Sequence, residues 1–76
     1  MKFAQYDEVK LIKIINQKVM TKKGWGYRDP EVGDIATIIE IYSNPEVAYH
    51  LECNDENGAT AWDLMVIPDD IELKTT

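Results

Sequence analysis

A single cysteine, Cys53, is present, so the chain can close no internal disulfide and build no thiolate zinc site. Its one histidine, His50, has no nucleophile or metal-ligand set near it in sequence. No phosphate-cradling glycine loop is present, and glycine and proline are scarce, at four and three residues. With 45% apolar residues, disorder is expected only at the ends. No stretch approaches the roughly 20 consecutive apolar residues that span a bilayer. Asp7 and Glu8 stand where a signal peptide needs its apolar run, and the chain reads as a cytoplasmic protein. These absences point away from an enzyme, and no cofactor, metal or membrane partner is expected.

Charge is what the chain has in excess, and it is unevenly spread. The net charge is −6. Residues 1–28 hold seven basic side chains against two acids, whereas residues 29–76 hold one lysine against twelve acids. A field of this sign rejects polyanions and favours a basic protein partner. Nucleic-acid binding would have to rest on the first third, through Lys10, Lys13, Lys18, Lys22, Lys23 and Arg28.

Apolar residues recur mostly at a period of two between turn signals, which predicts strands. In VKLIKII, from Val9 to Ile15, both faces become apolar, so a bulge or strong bend is expected near Lys13. The run IATIIEIY places Ile35, Thr37, Ile39 and Ile41 on one face, and Ala36, Ile38, Glu40 and Tyr42 on the other. VAYHLEC alternates, with Val47, Tyr49, Leu51 and Cys53 on one side. NDENG makes a hairpin loop, and ATAWDLMVI a further strand that carries Thr60, Trp62, Leu64 and Val66 opposite Asp63. Pairing across that loop is expected to set Leu51 against Trp62, Tyr49 against Leu64 and His50 against Asp63. Pro68-Asp69-Asp70 starts a one-turn 3-10 helix before a short last strand. The fold expected over residues 1–76 is therefore all-β and a single domain. It is a small SH3-like, partly open barrel of about five strands with a long first loop, near-closure limiting exposed edges. Its expected core is Val9, Leu11, Ile35, Ile39, Ile41, Tyr49, Leu51, Trp62, Leu64, Ile71 and Leu73.

YDEVKL at Tyr6–Leu11, VGDIATIIEIY at Val32–Tyr42, AYHLEC at Ala48–Cys53, NGATAW at Asn57–Trp62 and IPDDIEL at Ile67–Leu73 together cover most of the chain. In these segments the chain resembles a bacterial family of small SH3-like domains of unknown function. Members typically read Gly-Asp-x-Gly-Thr-Val-Val across the second strand, where this chain has Ala36 at the second glycine, and they have a shorter first loop. Such domains are often encoded beside toxin-like or nuclease-like genes, so the resemblance implies an immunity or antitoxin role.

The first loop holds GWGYRDPEVGD from Gly24 to Asp34, read as neither helix nor strand. Exposed, Trp25 and Tyr27 would anchor a partner, with Arg28 adding a fork of donors. Folded back, Trp25 would cap an open end of the barrel. Asp55 and Glu56 in the hairpin, with Asp69 and Asp70 near the C-terminal strand, read as solvated turn residues or as recognition elements for a basic partner. Asp63 would pair with His50 on the surface. The expected partner-binding set is Trp25, Tyr27, Arg28, Asp55, Glu56, Asp63, Asp69 and Asp70. The alternative expected role is an accessory subunit of a larger enzyme complex.

Overall fold

A computed structural model describes residues 3–21 and 24–76. Six strands follow in chain order: β1 Glu8–Ile14, β2 Trp25–Gly26, β3 Ile35–Tyr42, β4 Ala48–Asn54, β5 Thr60–Val66 and β6 Ile71–Thr75. They form one antiparallel sheet in the order β2-β5-β4-β3-β1-β6, with β2 and β6 as its edges. The sheet is not closed, and the strands number six where five were expected. The extra strand comes out of the long first loop: Trp25 and Gly26 pair with Asp63 and Trp62 of β5. The only helical turn among the described residues, a 3-10 helix at Gln17–Thr21, also lies in that loop. Residues 68–70 form a turn and not the expected helix. No helix among the described residues is long and apolar enough to cross a membrane.

Bulges shape this sheet. In β1 the pairing with β6 shifts between Leu11 and Lys13, next to the residue where the apolar pattern predicted a bend. In β3 the pairing with β4 shifts between Ile38 and Glu40. One inserted residue reverses the sides taken by the rest of a strand. Ala36 and Ile38 are therefore buried and Ile41 packs on the core after the bulge, whereas Ile35 is 41% exposed and Ile39 only half-buried. The expected inward set of Ile35, Ile39 and Ile41 is corrected accordingly, and Leu73 too is only partly buried.

A third shift falls at the base of the β4–β5 hairpin. Leu51 faces Leu64, Tyr49 faces Val66 and Cys53 faces Trp62, two residues away from the expected register. The hairpin loop explains part of the offset. The Asp55 carboxylate accepts the backbone N–H groups of Asn57 and Ala59, widening the turn, and Ala61 is then the extra residue between Thr60 and Trp62. Thr60, expected beside Trp62, lies before the bulge and bonds Glu52 instead. From Trp62 onward a slip of two keeps each side chain on its expected side, so Tyr49, Leu51, Trp62 and Leu64 are buried as expected. They join Val9, Leu11, Val19, Cys53, Ala61, Val66 and Ile71 in one core.

Candidate functional site

Trp62 is the largest fully buried side chain, and its indole N–H needs an acceptor once withdrawn from water. Asp34 supplies it: Nε1 donates to Oδ2 at 2.8 Å. The same carboxylate receives Arg28 through two parallel bonds, Nη1 to Oδ2 at 2.9 Å and Nη2 to Oδ1 at 3.0 Å, and accepts the Glu31 backbone N–H at 2.9 Å. Burial pushes the Asp34 carboxyl up, but Arg28, the Glu31 N–H and the Trp62 indole outweigh it and hold the group below its ordinary value. Arg28 is in turn held protonated by Asp34 beyond its ordinary range. Its Nη2 also lies 3.9 Å from Cys53 Sγ. Burial first, then the Asp34 charge, raises the Cys53 thiol, which packs in the core as a small hydrophobe.

This hub ties the first loop to the core from below. Pro30, between Arg28 and Asp34 in the chain, is fully buried. From above, the loop is held by backbone: Gly24 N–H donates to the Asp63 carbonyl at 3.0 Å, and Tyr27 and Arg28 N–H share the Ala61 carbonyl at 2.9 and 3.2 Å. Gly26 permits this approach. Its φ is +123°, and a Cβ there would sit 2.2 Å from the Ala61 carbonyl oxygen, which only glycine avoids. Tyr27 is fixed a third way, its hydroxyl donating to Asp55 Oδ2 at 2.8 Å. That bond, with some burial and the negative charge of Asp55, raises the phenol; in return Asp55 is held below an ordinary carboxyl.

Fixed from several directions, the loop still leaves Trp25 71% and Tyr27 62% exposed. The pair flank Gly26 on one side of the strand and, with Thr60, line a shallow groove of about 260 Å³. Trp25 is directly opposite Asp63, Asp63 is opposite Glu52, Glu52 opposite Thr37 and Thr37 opposite Glu8. Directly opposed residues share a face, so these five form one row across five strands on the outer side of the sheet. In the adjacent row Glu40 faces His50 and His50 faces Met65. His50 is thus not opposite Asp63 as expected. It reaches that carboxylate diagonally, Nε2 to Oδ2 at 3.5 Å.

The structure brings Trp25 and Tyr27 together in the groove, with Asp63 directly across from Trp25 and Asp55 at the Tyr27 hydroxyl. Glu56 lies exposed at the tip of the same hairpin. Arg28 faces inward, its donors committed to Asp34 and to the Asp29 carbonyl. Asp69 and Asp70 lie past the far end of β5, roughly 20 Å from Thr60. Asp70 is a fastener there: its carboxylate accepts the Ile67 N–H and the Asn16 side-chain amide, and its carbonyl accepts the N–H groups of Ile15 and Asn16. Lys22 and Lys23 lie outside the described residues. No group of three or more His, Cys, Asp or Glu side chains among the described residues is arranged to hold a metal ion.

Sequence reasoning missed Asp34 and Glu52. Asp34 leads straight into an apolar strand from the turn at Gly33, an acid placed where only a buried donor would hold it. Glu52 sits in a plainly alternating strand, and its role emerges only when the register sets it against Asp63. No family model matches the chain, and no curated protein or solved structure matches it.

Proposed function

We propose that the chain is a non-enzymatic, acidic protein-binding module of SH3-like, partly open barrel type. It works in the cytoplasm by covering the basic surface of another protein. The observation that carries this reading is a juxtaposition. Two large aromatic side chains, held in place by Gly26, Asp55 and the Arg28–Asp34 pair, stay exposed at the end of a row containing Asp63, Glu52 and Glu8. Rigid aromatics contribute contact area at little entropic cost, and carboxylates beside them select a cationic partner. Glu52 directly opposite Asp63 costs stability in the free chain. A basic surface would relieve that repulsion on binding.

In its most specific form the proposal is an immunity- or antitoxin-like inhibitor that occludes a basic toxin or nuclease-like domain. The anionic balance and the family resemblance support it. Affinity capture from native lysate, with the bound protein identified, tests it against a variant carrying both Glu52→Lys and Asp63→Lys. The expected result is one dominant basic protein, released by raised salt and not captured by the variant. Equal capture by the charge-reversed variant would refute the reading.

A second reading has one observation in its favour. Lys10 directly opposes Lys74 and, with Ile35, Thr75 and Thr76, lines a groove of about 400 Å³. Paired lysines of this kind suit a polyanion, and single-stranded nucleic acid binding with a steep salt dependence would support it.

A further inference from the structure

We propose that the Trp25–Tyr27 groove is a receptor for one arginine side chain of the partner, stacked on Trp25 with its guanidinium edge turned to Asp63. The inference rests on the protein-binding reading above and narrows it to a chemical group. A groove of about 260 Å³ falls below the roughly 300–1,000 Å³ of small-molecule sites and suits a single long side chain. Its walls are Trp25 and Tyr27, and Gly26 between them adds no side chain to fill it.

Charge then selects the occupant. Asp63 is the residue directly across from Trp25, with Glu52 next in the row and Asp55 at the Tyr27 hydroxyl. Asp63 keeps capacity to accept hydrogen bonds, because its contact with His50 is 3.5 Å, beyond ordinary hydrogen-bond length. Gly24 lets that carboxylate sit close against the loop, since a Cβ there would lie 2.6 Å from Oδ1. Both cationic side chains would be drawn to this field. Only the guanidinium is planar and weakly hydrated, able to lie flat on an indole while its edge donates two bonds to a carboxylate. A lysine ammonium is a hydrated point charge that can approach the indole face but cannot stack flat on it or offer a two-donor edge.

The test is a two-dimensional amide NMR titration of the whole chain at low ionic strength. The probes are the blocked pentapeptides Gly-Arg-Gly-Arg-Gly and Gly-Lys-Gly-Lys-Gly. Equal charge cancels the general electrostatic attraction. The arginine peptide is expected to bind about three- to fivefold more tightly, flat stacking and paired donation together adding about as much as one exposed cation–π contact. Its shifts should centre on residues 24–27, 60 and 63. Trp25→Ala should reduce its affinity to that of the lysine peptide with the melting temperature nearly unchanged, and Trp25→Phe should keep part of the preference. Equal affinity of the two peptides for the native chain would overturn the arginine site. So would shifts centred away from the groove. Either result would leave the occlusion reading to its own capture experiment, in which the charge-reversed variant decides.

Discussion

Trp62 and Asp34 stand 28 positions apart in the chain and are joined by a 2.8 Å hydrogen bond that fastens the first loop to the core. The loop's inner side is anchored there, because Arg28 enters the same carboxylate that accepts the buried indole. Replacing Asp34 by alanine leaves the Trp62 N–H without its acceptor and the Arg28 charge half-buried without its anion. Loss of about 2–4 kcal/mol is expected, read by chemical denaturation. The pH dependence has a definite sign. The Asp34 carboxyl is held below its ordinary value in the folded state, so its contribution is fully present above a pH of roughly 4 and is lost as pH falls through the folded value. Asp34→Ala should therefore flatten the acid side of the stability profile. An unchanged acid limb would show that Asp34 does not couple proton uptake to folding.

Alternation in the last three strands was legible because a period of two needs only a correct side, and a register error of two residues preserves sides. The β4–β5 hairpin shows this: Tyr49, Leu51, Trp62 and Leu64 were predicted to be buried although their pairings were not, and only Ala61, buried at the bulge, was missed. β3 shows the opposite case. Its bulge falls at Ile39, between Ile38 and Glu40, where two consecutive isoleucines occupy both sides and no glycine marks the extra position. Inward and outward residues then could not be told apart. The first loop was opaque for another reason. Its strand is two residues long and exists because Ala61 bulges to offer its carbonyl to Tyr27 and Arg28, an arrangement with no local pattern. For the site, the exposed aromatics and Asp63 were legible as residue types, and their adjacency was not.

The opposition of Glu52 and Asp63 makes a prediction with an unusual direction. Like charges facing each other across a sheet are destabilising, so Glu52→Gln should raise stability by about 0.2–1 kcal/mol while weakening capture of the basic partner. Glutamine keeps an oxygen for the Thr60 hydroxyl, which donates to Glu52 at 3.3 Å. Added salt should stabilise the native chain more than the variant, since it screens a repulsion only the native chain has. A variant less stable than the native chain at every salt concentration would contradict the repulsive row.

Tyr27 and Asp55 report on the docking of the loop against the hairpin. The hydrogen bond to Asp55 is the main reason the Tyr27 phenol is raised, with burial and the Asp55 charge adding to it. Ultraviolet titration of the native chain should show this tyrosine ionising above the ordinary phenol range, and Asp55→Asn should bring it down. The same substitution weakens the acceptor for the Asn57 and Ala59 N–H groups, so hydrogen exchange at those two amides should quicken. Unchanged titration in Asp55→Asn would mean that the hydroxyl is not bonded to that carboxylate.

Gly26 is where sequence, backbone and binding surface meet, and Gly26→Ala separates folding of the domain from presentation of the site. A methyl at this position strikes the Ala61 carbonyl and the Trp62 Cα at 2.2 and 2.5 Å, and a φ of +123° is itself costly for any residue with a side chain. Neither obstacle is the movable tip of a side chain; both are backbone of β5. Relief must come from β2, which is held by only a few bonds, so the loop should lift off while the other five strands keep their core. Circular dichroism should show the sheet retained, with stability reduced by about 1–3 kcal/mol. Limited proteolysis should then cut between residues 24 and 28 faster in the variant than in the native chain. Partner capture should fall as far as it does for Trp25→Ala, although Trp25 is still present. A variant that keeps its loop protected and its partner bound would show that the aromatic pair does not depend on the β2–β5 pairing.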